Sequence, residues 1–144
     1  MKNNSFLTGI MVLTIVFVLS GCPNPADPTS EPSPFIGSWR VEGLDRIVTY
    51  SENIRILQVA SSGYYLGRFT WIHEEPNLLI LTQTHSTGDG TGVSTLAELL
   101  QNHATTPLVF EMEYEFVSNS ILRSRTIRQG GVDVDLDWHN LIRQ

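Results

Sequence analysis

The chain predicts a mostly β fold, an antiparallel meander of about eight strands interrupted by one short helix near residues 95–103. Three observations carry this. Residues 110–116 (FEMEYEF) and 132–138 (VDVDLDW) alternate strictly between apolar and acidic side chains, the period of a strand with one wet face. Shorter runs rich in β-branched and aromatic residues precede them, punctuated by glycine, proline and asparagine. One segment alone carries helical spacing.

In chain order, strands are expected over residues 37–43, 46–50, 54–60, 64–73 and 77–85. Glu52-Asn53, Gly63 and Pro76-Asn77 supply the breaks. Tyr65, Gly67, Phe69 and Trp71 share one parity, and Gly67 is the place for a bend where a barrel turns a corner. The glycine-rich loop 88–92 leads into the helix over 95–103. There Thr95 with Glu98 makes a capping box, and Leu96, Leu99, Leu100 and His103 fall on one face. Such a helix covers an outer face or open end of the sheet, or forms a lid over a cavity. Pro107 then ends the excursion.

The next hairpin allows its register to be argued. With Ser118-Asn119-Ser120 as a three-residue loop, Val117 faces Ile121 and Phe116 faces Leu122 on the inside. Glu115 then faces Arg123 and Glu113 faces Arg125 on the outside. A one-residue slip would put Arg123 against Phe116, so the binary pattern selects the register. A third strand over 121–128 turns at Gly130-Gly131 into the last expected strand, 132–138. Ser124 and Thr126 are small inward positions.

The N-terminal region reads as an address. Lys2 precedes an apolar stretch, residues 6–19, which is shorter than the ~20 residues of a membrane span. The stretch ends in Leu19-Ser20-Gly21-Cys22, and Cys22 is the only cysteine. A thiol after small residues at this distance matches the lipobox of bacterial lipoprotein signal peptides, in which the sulfur takes a diacylglycerol before cleavage. Cys22 is therefore the expected lipidation site, and a membrane, reached through that anchor, the expected partner. Residues 1–21 are the signal peptide. Residues 22–34 are a tether holding five of the seven prolines, extended and stiff. Residues 35–144 are the folded domain. The absence of an aspartate at Pro23 favours the outer over the inner membrane within the cell envelope.

The formal charge is −6, and Lys2 is the only lysine. An acidic domain without a basic cluster is ill suited to nucleic acid. Once Cys22 is acylated no thiol remains for a disulfide or a nucleophile. There is no Gly-x-Ser-x-Gly elbow. His73-Glu74-Glu75 lacks a second histidine at helical spacing, and Asp89 lacks the repeated acids of a calcium loop. His85, His103 and His139 are scattered. No catalytic residue, metal site or cofactor is expected, and the chain does not read as an enzyme.

Ile36-Gly37-Ser38-Trp39, directly after the tether, resembles the Gly-x-Trp signature that opens the first strand of lipocalins and other calycins. With its lipobox, short tether and run of short strands, the chain looks like the small lipocalin-like lipoproteins of bacteria. Residues 65–69 with 77–81, and residues 114–122, are similar to hairpins of that family. The resemblance implies a closed or nearly closed lipocalin-like barrel. It also implies that Trp39 closes the barrel base against an arginine or lysine late in the chain, for which Arg143 and Arg128 are the candidates.

An eight-stranded barrel has room for packed side chains or for one small ligand. Phe69, Trp71, Phe110, Met112, Tyr114, Phe116 and Trp138 are the candidate lining residues, together with Leu122. In a hollow barrel they would face a small apolar ligand, and in a solid one they are core. A lipoprotein that binds such a ligand is thus one expectation. The other is a structural or interaction lipoprotein with a solid barrel. It would offer an envelope protein its outer strands, with the row Asp133, Asp135 and Asp137 suited to a basic partner.

Overall fold

The structure is a computed structural model that describes residues 33–144. The signal segment, Cys22 and the tether up to residue 32 lie outside the described residues. Pro32–Gln144 forms a compact unit of its own.

The described residues run β1 (Gly37–Val41), β2 (Arg46–Tyr50), β3 (Ile54–Val59), β4 (Tyr65–Glu74), β5 (Leu78–Ser86), α1 (Leu96–Asn102), β6 (Ala104–Ser118), β7 (Ile121–Gln129), β8 (Val132–Asp133) and β9 (His139–Arg143). Consecutive strands from β1 to β7 pair antiparallel, and β9 pairs with both β7 and β1. Eight strands therefore close into a barrel with no free edge, and β8 adds only a two-residue step beside β7. A unit closed in this way, around its own core, has what it needs to fold by itself.

Directly opposed residues share a face, so the registers define one continuous interior. Trp39 stands opposite Val48, Val48 opposite Leu57, Trp71 opposite Leu81, Tyr114 opposite Ser124, and Leu122 opposite Leu141. Each of these pairs includes a buried side chain, and most belong to the single main core cluster. Gly67 is the corner the sequence suggested. The β3–β4 and β4–β5 ladders both slip beside it. A Cβ there would stand 3.2 Å from the His85 carbonyl oxygen and 3.3 Å from the Phe69 ring, so only a residue without a side chain lets the strands bend that closely.

The β6–β7 hairpin has the expected outer pairs, Glu115 opposite Arg123 and Glu113 opposite Arg125, and Phe116 meets Leu122 within. The tip differs. Ser118, not Val117, faces Ile121, and Val117 is pushed outward as a bulge. The bulge shortens the loop to a turn at Asn119 and Ser120 while keeping Phe116 inward. Helix α1 forms where expected: Thr95 Oγ1 accepts from the Glu98 N–H at 3.1 Å, and Leu99 is fully buried. The helix packs on β4, β5 and β6. Leu66 and Leu99 are both buried yet stand outside the main core cluster, so α1 covers the sheet rather than filling the barrel. Pro107 lies inside β6, not before it. The β5–β6 ladder skips between Ala104 and Leu108, where a residue without an N–H costs no ladder bond.

The final strand is a correction. Of the expected strand 132–138 only Val132–Asp133 is regular, and β9 does the closing instead. Asp133 and Asp135 are held by Arg128 at 2.8 Å and by Arg125 at 3.2 Å, side chains that belong to the outer surface. The acids are thus counter-ions of β7, and their alternation with apolar residues does not mark a buried face. Val132 is 66% and Leu136 49% exposed.

Candidate functional site

The two ends of the barrel are built differently. At the end where the described chain begins, Phe35 enters the barrel and is 1% exposed. Its ring packs edge-on against Tyr114 at 4.7 Å and Trp71 at 5.6 Å, and tilted against Phe116 at 5.0 Å. Trp39, fully buried, donates from its indole Nε1 to the Phe35 carbonyl at 2.8 Å. The Arg143 guanidinium lies 4.6 Å from the Trp39 ring and donates to the Pro34 carbonyl at 2.6 Å. Of the two candidates for that place, Arg143 takes it. Arg128 stands on the outer face between Glu111 and Asp133, and these carboxylates hold its pKa above the usual guanidinium range, the Asp133 hydrogen bond contributing most.

The Tyr114 hydroxyl lies 2.6 Å from His73 Nε2 at the same end. Burial raises the phenol above its usual pKa, and the charge of Glu75 adds to the effect. The pair satisfies a polar tip in an apolar plug. Among the described residues no group of three His, Cys, Asp or Glu side chains is placed to hold a metal ion. A depression of about 440 Å3 lies outside this plug, lined by Pro34, Phe116, Asn119 and Arg143.

At the other end the interior is open. A cavity of about 300 Å3 lies between the first three strands and β6, β7 and β9. Val41, Val48, Leu57, Met112 and Leu141 form its apolar wall, and Leu44 stands at the mouth on the β1–β2 turn. Its polar groups are Arg46, Arg55, Ser124 and His139, and no carboxylate is among its lining residues. Ser124, foreseen as a small inward position, is the buried polar side chain of the described residues, 5% exposed. It leaves space opposite Tyr114 and His139 where a larger residue would fill the barrel.

Of the seven proposed lining residues, Met112 reaches this cavity. Trp71, Tyr114 and Phe116 belong to the aromatic plug. Phe69 is buried beneath Arg55, and Phe110 packs on Phe69 at 6.0 Å between ring centres. Trp138 is a correction: it is 38% exposed and stacks on Arg123 and Arg125, outside the barrel. The lid is not supported either, since no residue of α1 lines the cavity. Sequence reasoning missed Phe35, the apolar wall from the first three strands, and Arg55. The signal for Arg55 was parity: it opposes Tyr50 on one side and Phe69 on the other, both inward.

Comparison of the chain with family models, with curated proteins and with solved structures finds no match.

Proposed function

We propose that this chain is a lipid-anchored cell-envelope lipoprotein whose lipocalin-like barrel takes a small apolar ligand into the cavity at its open end. The observation that carries the ligand is the contrast inside one barrel: aromatic rings fill one end, while apolar walls at the other enclose about 300 Å3, the lower end of the usual range for small-molecule sites. The lipocalin-like character is supported by Arg143 over Trp39, the partnership the Gly-x-Trp signature implies. The anchor is supported by the run ending in Cys22 and the proline-rich tether behind it. The outer membrane is favoured by Pro23, which stands where an aspartate would favour the inner one. The alternative, a solid barrel that offers an acidic row to a basic partner, is weakened by Asp133 and Asp135, which already pair with arginines of β7.

Native mass spectrometry of residues 32–144, purified from a bacterial extract without denaturation, tests the ligand. A retained small lipid supports binding and identifies its class. A bare mass, together with no binding when 1-octanol, octanoate or octyl phosphate is titrated in, would remove the ligand and leave the interaction module. For the anchor, Cys22→Ala in the full chain is expected to abolish incorporation of radiolabelled palmitate and to release the protein from the membrane fraction. Undiminished labelling of that variant would overturn lipidation at Cys22.

A further inference from the structure

We infer that the ligand of the open-end cavity is an anionic amphiphile whose head group is held by Arg55 inside the barrel, an assignment that rests on the cavity being a binding site.

The cavity runs against the charge of the molecule around it. The chain carries −6 overall, yet two arginines line the cavity and no carboxylate does. Of the arginines elsewhere, Arg40 is exposed to solvent, and the others have partners. Arg123, Arg125 and Arg128 pair with acids of β6 and with Asp133 and Asp135. Arg68 donates to Thr84 and Arg143 to Pro34. Arg46, at the cavity mouth, donates to the Asp45 carbonyl. Arg55 differs in its ion pairing: the Arg123 Nε lies 2.8 Å from the Glu115 carboxylate, whereas the Arg55 Nε is buried without a hydrogen-bond partner and no described carboxylate forms an ion pair with it. Arg55 is half-buried, a buried donor left unmet is costly, and an oxyanion entering the cavity would remove that cost.

The geometry suits an oxyanion in particular. The Arg55 guanidinium lies 4.9 Å from the Phe69 ring and 5.6 Å from the Tyr50 ring. Ring packing fixes where the group sits and supplies no hydrogen-bond acceptor in the guanidinium plane, so the planar fork stays free for a two-pronged acceptor. Depth sets the orientation. Arg55 springs from the level of Tyr50 and Phe69, and Tyr50 packs on Phe35 of the plug at 6.0 Å, whereas Leu44 is at the mouth. A bound amphiphile therefore enters head first, with its apolar chain along Leu57, Val41 and Leu141 toward Leu44. The volume admits one short chain, not a two-chain lipid.

The test titrates residues 32–144 calorimetrically with octanoate, 1-octanol and octyl phosphate, which share one apolar chain. Octanoate or octyl phosphate is expected to bind about tenfold to a hundredfold more tightly than 1-octanol, the range for a charge-assisted hydrogen bond. Which of the two leads tells a carboxylate head from a phosphate one. In Arg55→Met, which keeps the apolar stem, that advantage is expected to vanish while 1-octanol keeps its affinity. Arg55→Lys is expected to retain the preference for the anions but lose part of it, and serves if Arg55→Met does not fold. Equal or tighter binding of 1-octanol by the native protein would overturn the assignment and leave the apolar site standing. No binding of any of the three would overturn the site itself.

Discussion

The two ends of this barrel share their strands, yet one is plugged and the other hollow. The plugged end is completed by residues outside the regular strands. Phe35 arrives from the chain before β1, and Pro34 and Phe35 supply the carbonyls that Arg143 and Trp39 bind. At the hollow end the apolar inward residues are Met112 and aliphatic side chains, and the polar groups are two arginines, a serine and a histidine. An eight-stranded barrel is just wide enough for side chains to fill. Whether it is solid at a given level thus depends on a few side-chain sizes and on whether a flanking segment turns inward.

The largest effect should come from removing the plug. Phe35→Ala deletes a fully buried ring that touches four other aromatic residues and His73, and a loss of about 3–5 kcal/mol is expected in urea unfolding. A loss below about 1 kcal/mol, the scale of ordinary substitutions, would mean that the closed end does not depend on its plug. Arg143→Met comes next. It removes the guanidinium over Trp39 and the bond to Pro34, and about 1 kcal/mol is expected, as for an exposed cation–π contact. Because Arg143 is exposed while Trp39 is not, most of the tryptophan's own burial should survive, visible as an unchanged blue-shifted fluorescence. A red shift as large as that of the unfolded chain would show that Arg143 holds the base shut.

The outer face, which belongs to neither end, gives a smaller value. Arg125 bridges Glu113 at 2.8 Å and Asp135 at 3.2 Å, with its side chain 30% exposed. A double-mutant cycle of Glu113→Gln and Arg125→Met should return a coupling of about 0.2–1 kcal/mol that shrinks in salt. A coupling several times larger would mean that the ladder, rather than the interior, sets the register of the β6–β7 hairpin.

Much of this was legible in the sequence, for reasons that also explain what was not. The strands before residue 86 and the β6–β7 register follow from local period and turn residues. Helix α1 announces itself through Thr95 and Glu98. Arg143 was named for Trp39, with Arg128 beside it, because the Gly-x-Trp signature implies a late cation. The failures lie where partners are remote. β9 carries one buried residue, Leu141, so it shows no alternation. The segment 132–138 alternates well, but its acids answer arginines on another strand. Phe35 sits beside a proline-rich stretch with nothing to mark it as inward. The cavity wall comes from both sides of the barrel closure, and no window of sequence contains it.

The smallest change in stability should be the most informative about the hollow end. Ser124 and Leu122 lie two residues apart on β7 and point to the same interior. Leu122 is fully buried in the main core, while Ser124 borders the cavity. Adding atoms to a filled core forces neighbours off their rotamers at about 1–3 kcal/mol, and Leu122→Phe should incur that. Ser124→Leu meets open space instead, and the added apolar area is removed from water at a gain of about 25 cal/mol per Å2. Its stability should stay within about 1 kcal/mol of the native protein, while its 1-octanol affinity drops at least about tenfold because the chain's space is taken. Equal destabilisation by both substitutions would mean that the barrel is packed alike at both levels. A stable Ser124→Leu variant with undiminished 1-octanol binding would place the ligand outside the cavity. Only the pairing of retained stability with lost binding fits a barrel that is plugged at one end and left open for a ligand at the other.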